Sequence, residues 1–252
     1  MPTNQVVSHE QWLAARTELL EKEKEFTKLR DEITAQQRNL PWEKVEKDYT
    51  YRGAEGEVSL ADLFAGRSQL IVYHFMFDPS WDEGCKSCSM IADHYDRIIV
   101  HLNARDVTFV TVSRAPLDKL LAFRQRMGWE FEWVSSLESD FNWDFNVSFT
   151  PEQLETGEVY YNYRKGKEFP VAEAPGISVF YQDENGDIFH TYSVFARGLD
   201  LFLGVYNFLD IVPKGRDEES LQYGMEWVRH HDRYGDESFV DPYVQLDVGD
   251  AT

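Results

Sequence analysis

The chain has 252 residues, 42% of them hydrophobic and 28% charged, with a formal net charge of −20. A chain of that length buries roughly 70–75% of its unfolded surface and needs no disulfide staples, and its composition is that of a globular protein. The acidity repels phosphate backbones and anionic headgroups, which excludes nucleic acid and membrane surfaces as expected partners.

The chain starts with neither a basic segment nor an apolar one, so no signal peptide is expected. The most apolar long stretch, 199–212, is broken by Asp200, Asn207 and Asp210 and is too short and polar to span a bilayer. There are only two cysteines, Cys85 and Cys88. A secreted scaffold would carry more, spread along the chain, so a cytoplasmic location is expected, where such a pair is catalytic or metal-binding more often than a permanent staple.

In chain order, residues 8–38 read as one long helix. Ser8 and Gln11 form a capping-box pattern, and Pro41 stops the run. Trp12, Leu19, Phe26 and Ile33 recur every seven residues, widened by Leu13, Leu20 and Leu29. Such a stripe docks on its own domain, or pairs with a second subunit as a homodimer. Residues 69–77 (QLIVYHFMF) read as a buried strand, 85–102 as a helix and 107–112 (VTFVTV) as a second buried strand. Two such strands joined by a helix should be parallel. Pro116 opens a helix that Gly128 closes, and 131–134 reads as a short strand. Residues 136–175 are irregular and rich in aromatics, expected either to pack a small core of their own or to wall a groove over Cys85. Asp183-Glu184-Asn185-Gly186-Asp187 joins two strands, 177–182 and 188–194, as a hairpin. A helix over 199–212 and a short helix over 221–231 follow, with little regular structure afterwards.

A βαβ half followed by a ββα half describes an α/β thioredoxin-like fold, with a central mixed sheet flanked by helices. The expected division is an N-terminal helical appendage (1–48), the thioredoxin-like domain with its insert (49–215) and a C-terminal extension (216–252).

The Cys85-Lys86-Ser87-Cys88 sequence falls where strand gives way to helix. A thiol in the first turn meets unpaired N–H groups and the positive end of the helix dipole, both of which favour the thiolate. Cys88, about one turn on, can attack a mixed disulfide formed at Cys85. Cys85 is therefore the attacking thiol and Cys88 the resolving one. Lys86 adds positive charge nearby, while Asp82 and Glu83 oppose it. Strand 107–112 should end at the same sheet edge, which puts Arg114 near the pair as an anion-holding candidate. The rival chemistry is a zinc site, with two further ligands from His94, His190, His230 and His231. His230-His231-Asp232 reads more simply as a solvated helix end, and His74 as a hydrogen-bonded core histidine.

The segments MFDPSWDEGCKSC, ADHYDRI, VTFVTVSRAPLDKLLAFRQRMGWEFEWVSS, SDFNWDFNVSFT, GISVFYQDENGDIFHTYSVFARGLD and WVRHHDRY resemble a bacterial family of uncharacterised proteins described as thioredoxin-like. It is distantly similar to the alkyl hydroperoxide reductase/thiol-specific antioxidant superfamily. The resemblance runs from about residue 8 to 235 and implies a thioredoxin-type fold without supplying a substrate. Peroxiredoxins carry a proline seven residues, and a Thr or Ser three residues, before the peroxidatic cysteine. Here those positions hold Asp78 and Asp82, so the hydroperoxide cradle is missing. Thioredoxins have Trp before the first cysteine and Gly-Pro within the pair; here Gly84 and Lys86-Ser87 stand there. By analogy with the cis-proline of thioredoxins, Pro175 is the cis candidate, and Trp81 and Pro175 are the residues expected to face a substrate. The expectation is a thiol–disulfide oxidoreductase with no bound cofactor, acting on a protein or small-molecule disulfide. The alternative is a non-catalytic binding or scaffold protein with structural or zinc-binding cysteines.

Overall fold

The computed structural model describes residues 4–166 and 169–235. In chain order the elements are α1 (His9–Arg38), β1 (Glu43–Lys44), β2 (Thr50–Gly53), β3 (Gly56–Ser59), β4 (Gln69–His74), α2 (Lys86–Tyr95), α3 (Ile99–Asn103), β5 (Val107–Ser113), α4 (Leu117–Met127), β6 (Glu132–Ser135), α5 (Phe141–Asp144), α6 (Pro151–Thr156), β7 (Tyr160–Tyr161), β8 (Arg164–Lys165), β9 (Gly176–Gln182), β10 (Ile188–Phe195) and α7 (Gly204–Leu209). Two 3-10 helices, Asp62–Phe64 and Ala196–Phe202, lie between them.

One sheet of eight strands runs in the order β1-β10-β9-β4-β5-β6-β2-β3. Strands β4, β5 and β6 are parallel, and β9 returns antiparallel beside β4 with β10 outside it. The four strands β10-β9-β4-β5 unite the expected βαβ and ββα halves in one thioredoxin-like sheet. Strand β4 alternates cleanly. Leu70 and Val72 enter a core with Phe64 and Phe141, while Tyr73 enters the opposite core with α2 and α4. Both faces are therefore covered, which is why the strand reads as a continuous apolar run. The insert carries a third, small core of Phe149, Val159 and Ala174.

Several elements depart from expectation. Strands β2 and β3 extend the sheet beyond β6, and β1, in the segment expected to be an appendage, edges the main sheet against β10. The 85–102 helix breaks between α2 and α3, and the 199–212 helix divides into the 3-10 turn and α7. The stretch 221–231 forms turns instead of a helix. The expectation for the last residues falls, over 236–252, outside the described residues. Helix α1 keeps its capping box at Ser8, yet none of its residues is buried. Trp12, Leu19 and Phe26 are 53%, 51% and 62% exposed, so the stripe does not dock on its own domain. Thirty residues of self-satisfied backbone, capped and charged, stand with no residue buried against the rest of the described chain. Its last turn is pinned by Gln37 Nε2, which donates to Tyr192 Oη at 2.9 Å. Among the described residues no helix is long and apolar enough to cross a membrane.

Candidate functional site

Strand β4 runs on through Phe75, Met76 and Phe77, and the 78–84 loop then folds back so that the Cys85 N–H donates to the Met76 carbonyl at 3.0 Å. Asp78 holds the loop by accepting from the backbone N–H and hydroxyl of Ser80, at 2.8 and 2.6 Å. Lys119 ties it to α4 by donating to the carbonyls of Pro79 and Trp81, both at 2.9 Å. Cys85 thereby becomes the N-cap of α2, and its Sγ accepts the Cys88 N–H at 3.4 Å. Both sulfurs are reduced and buried.

The environment separates the two thiols. Burial pushes the Cys88 thiol well above its ordinary value, and the neighbouring Cys85 pushes the same way. The Tyr73 hydroxyl and the Met76 backbone pull it back. Tyr73 is itself fully buried, and its hydroxyl faces the thiols without forming a well-aligned hydrogen bond. Gly84 explains why no bulky residue precedes Cys85. A Cβ there would sit 2.7 Å from Phe75 Cε1 and 3.0 Å from Phe123 Cε1, both in buried rings. Gly84→Ala is expected to cost about 1–3 kcal/mol, read as a lower midpoint in urea unfolding.

The C-terminal extension closes over the pair. His230 Nε2 donates to the Gly84 carbonyl at 2.8 Å. The buried Lys86 donates to the Glu226 carbonyl at 3.0 Å and to Tyr223 Oη at 3.4 Å. The residues on either side of Cys85 are thus bound to one strap. Between those anchors Val228 is fully buried in the same apolar cluster as both cysteines. Arg126 and Arg233 ion-pair with Glu83, which offsets the charge of one of the two carboxylates expected to oppose a thiolate.

The other expected site residues are placed as follows. Trp81 is half-buried against the core that holds the cysteines. Arg114 donates from NH1 to Glu173 at 2.8 Å and lies 4.0 Å over the Trp143 ring. Pro175 directly precedes β9, at the sheet edge where that strand pairs with β4, and its carbonyl accepts from Tyr161 Oη at 2.6 Å. The peptide bond before this cis candidate is trans, as are all those of the described residues. The expected zinc ligands are dispersed. His94 accepts the Val205 N–H, His231 pairs with Asp93 and His230 bonds to Gly84. Among the described residues no three His, Cys, Asp or Glu side chains converge as a metal site. His230 is buried, not solvated as a helix end would leave it. His74 is the hydrogen-bonded core histidine expected, 2.8 Å from Ser178 Oγ.

Sequence reading missed Tyr73, Lys119 and the strap residues Tyr223, Glu226 and Val228, and gave His230 a different role. For Val228 and His230 the signal was WVRHHDRY, which marked the segment without showing what it touches.

No curated protein matches the chain. Among solved structures it is similar to peroxidoxin BcpB from Mycobacterium tuberculosis, with 12% identity, a TM-score of 0.44, and 66% of this chain and 94% of that one covered. Xylella fastidiosa PrxQ is similar at 12% identity and a TM-score of 0.42, over 66% and 95% of the two chains. The mitochondrial 2-cys peroxiredoxin from Plasmodium falciparum follows at 11% and 0.38, over 67% and 92%. Likeness at these scores carries no chemical inference. One family match spans residues 1–234, nearly the whole length, and by it the chain belongs to the bacterial family of proteins of unknown function DUF899.

Proposed function

We propose that the protein is a thiol–disulfide oxidoreductase working through Cys85 and Cys88. The observation that carries this reading is the cap itself: Cys85 Sγ is the side chain that satisfies the first turn of α2, accepting the N–H of its partner cysteine. A sulfur so placed gains from hydrogen bonding and the helix dipole when it ionises.

The Cys85 thiolate attacks one sulfur of a substrate disulfide, and the other sulfur leaves as a thiolate. Cys85 is then neutral and bonded to substrate. The hydrogen bond and charge that raise Cys88 disappear at that moment, while Tyr73 and the Met76 backbone still favour its thiolate. Cys88 loses its proton to solvent or the leaving thiolate and attacks Cys85 Sγ. This forms the Cys85–Cys88 disulfide and frees the second substrate thiol. Two electrons have passed from the dithiol to the substrate, and an external thiol restores the reduced pair.

Cys88→Ser protein incubated with oxidised glutathione should retain glutathione on Cys85, detected as a mass increase mapped to that peptide. Wild-type protein should release it and gain the internal disulfide. No adduct on Cys85, with a wild-type protein that reduces neither oxidised glutathione nor a model protein disulfide, would falsify the reading and leave a scaffold with buried structural cysteines.

A further inference from the structure

On the sheet face opposite the dithiol, a chain of polar groups stands apart from the thiol chemistry. His190 Nε2 lies 2.7 Å from Ser193 Oγ. That oxygen is 2.8 Å from Ser178 Oγ, which is 2.8 Å from His74 Nε2. On the other side of the ring, His190 Nδ1 stands 3.7 Å from Glu43 Oε2, its cross-strand partner in β1. Residues three apart on a regular strand point to opposite faces. A register shift between His190 and Tyr192 bulges β10 and turns His190 and Ser193 to the same face.

The buried end sets the direction of the hydrogen bonds. His74 is fully buried, and desolvation lowers its pKa to about 3, so the ring is neutral. Its Nδ1 has no partner among the described residues. An unpaired buried N–H is the costlier orphan, which puts the proton on Nε2. His74 then donates to Ser178, Ser178 donates to Ser193, and the Ser193 hydroxyl donates to His190 Nε2. His190 carries its own proton on Nδ1, toward Glu43. The Tyr192 carbonyl, 3.1 Å from His190 Nε2, is placed to accept the N–H that appears there when His190 takes a proton.

The array opens to solvent at its outer end, where Glu43 is exposed and His190 half-buried, with Ser193 6% exposed at the cavity wall. Cavities of about 680 and 620 Å³ meet at it, sharing Glu43, His190, Ser193, Asn162 and Tyr163. Volumes of this size suit a small organic ligand. Asn162 and Tyr163 form the tip of the β7–β8 hairpin, with φ of 49° and 61°. That left-handed backbone is strained for a tyrosine. Tyr163 Oη holds the tip in place by donating to the Ser193 carbonyl at 2.9 Å. Lys44 and Lys47, which also line the larger cavity, are paired with Asp187 and with Asp140 and Asp144. Glu43 is therefore the charge set against His190.

We propose that Ser193, His190 and Glu43 form a second, hydrolytic site that cleaves small carboxylic esters independently of the dithiol. Ser193 Oγ attacks the ester carbonyl while its proton passes to His190 Nε2. The C–O bond to the alcohol breaks, and the alcohol leaves with that proton. A water molecule gives a proton to His190 and attacks the acyl-serine. The acid is released and the Ser193 hydroxyl is restored. No electrons are transferred, and water is the only co-reactant. Glu43 acts through His190 as a positioning residue, its contact loose as such contacts often are in a free enzyme.

Wild-type protein treated with a fluorophosphonate probe should carry it on Ser193, located by peptide mapping, which needs no variant to fold. Hydrolysis of p-nitrophenyl acetate should fall at least about 100-fold in S193A. Burial holds His190 below its ordinary value and Glu43 works against that, so in E43Q the acid limb of the pH–rate profile should move to still lower pH. A purely structural Glu43 would leave that limb in place. No probe on Ser193, or hydrolysis in S193A equal to wild type, overturns the proposal. Either result leaves the thiol reading untouched, since that reading is scored by disulfide adducts on Cys85.

Discussion

Val228→Asp should raise the rate at which iodoacetamide alkylates Cys85 by about a hundredfold to a thousandfold. Both thiols are at most 5% exposed, so a reagent reaches them only when something opens. The strap is the natural gate, because its anchors lie on both neighbours of Cys85, at Gly84 and Lys86. Val228 is fully buried between those anchors. Burying a valine contributes about 1.5–3 kcal/mol, and forcing a carboxylate into the same place adds a desolvation cost. A loss of roughly 3–4 kcal/mol from the closed state corresponds to two to three orders of magnitude in the open population. The rate should be measured with the urea midpoint in parallel, so that strap opening is separated from global unfolding. Alkylation at the wild-type rate in a strap-broken but folded protein would mean that reagents reach the dithiol by another route.

That gate bears on what the dithiol can do. An always-exposed pair would be open to exchange with any disulfide that meets it. On the proposed reading, a covered pair would exchange with partners that displace the strap, or in the fraction of time it is open. The strap is held by many small polar contacts around one fully buried apolar side chain, Val228, with Met225 and Trp227 packed partly buried beside it. Glu218 alone accepts from Tyr206 Oη at 2.7 Å, Trp227 Nε1 at 2.6 Å and the Met225 N–H at 3.0 Å. Segments built this way sit at the low end of local stability, where opening is least costly.

The central βαβ core was legible because its strands are covered on both faces. Residues 69–77 and 107–112 are dense in β-branched and aromatic side chains, and no other local structure uses that pattern so well. The dithiol position followed from the strand-to-helix change at Gly84-Cys85. Strands β2 and β3, TYRG and GEVS, were not legible. Each has four residues and carries charge, and each takes its order from sheet pairing. The last helix looked continuous from 199 to 212, but Leu203 leaves helical geometry at ψ 86° and divides it.

The site was only partly legible, for a related reason. Cys85 and Cys88 announce themselves by type and spacing. The groups that tune and cover them come from positions 73, 119 and 223–233, and nothing local to those segments names the neighbour they will meet. The bulge in β10 is the sharpest case. A strict alternation of faces separates His190 from Ser193, and only the register shift joins them. Arg114 shows the opposite limit. Parallel register put it at the C-terminal end of β5, but the acid it pairs with, Glu173, lies in the irregular insert.

Arg114→Leu should therefore destabilise the protein strongly at alkaline pH and weakly in acid. Glu173 is 1% exposed, and burial raises its pKa from 4.5 to about 7 even with Arg114 and Ser148 bonded to it. A carboxyl raised in the folded state binds its proton more tightly there than in the unfolded chain. Below about pH 4.5 both states hold the proton and the group costs nothing. Between pH 4.5 and 7 the unfolded chain ionises first, so stability falls as pH rises, by about 3 kcal/mol once pH exceeds 7. Without the guanidinium the buried carboxylate loses its main compensation, and the loss at pH 8.5 should be about 3–5 kcal/mol. At pH 4.5 only packing and the stacking on Trp143 are lost, about 1 kcal/mol. Urea unfolding at the two pH values measures the difference, and R114L/E173Q should flatten it. An equal loss at both would mean that the Arg114–Glu173 charge pair is not what Arg114 contributes. The same variant settles what the sheet-edge position suggested for Arg114. At pH 6, with the fold intact, glutathione exchange at Cys85 that is unchanged in R114L assigns the arginine to holding Glu173. A fall of tenfold or more assigns it to the dithiol.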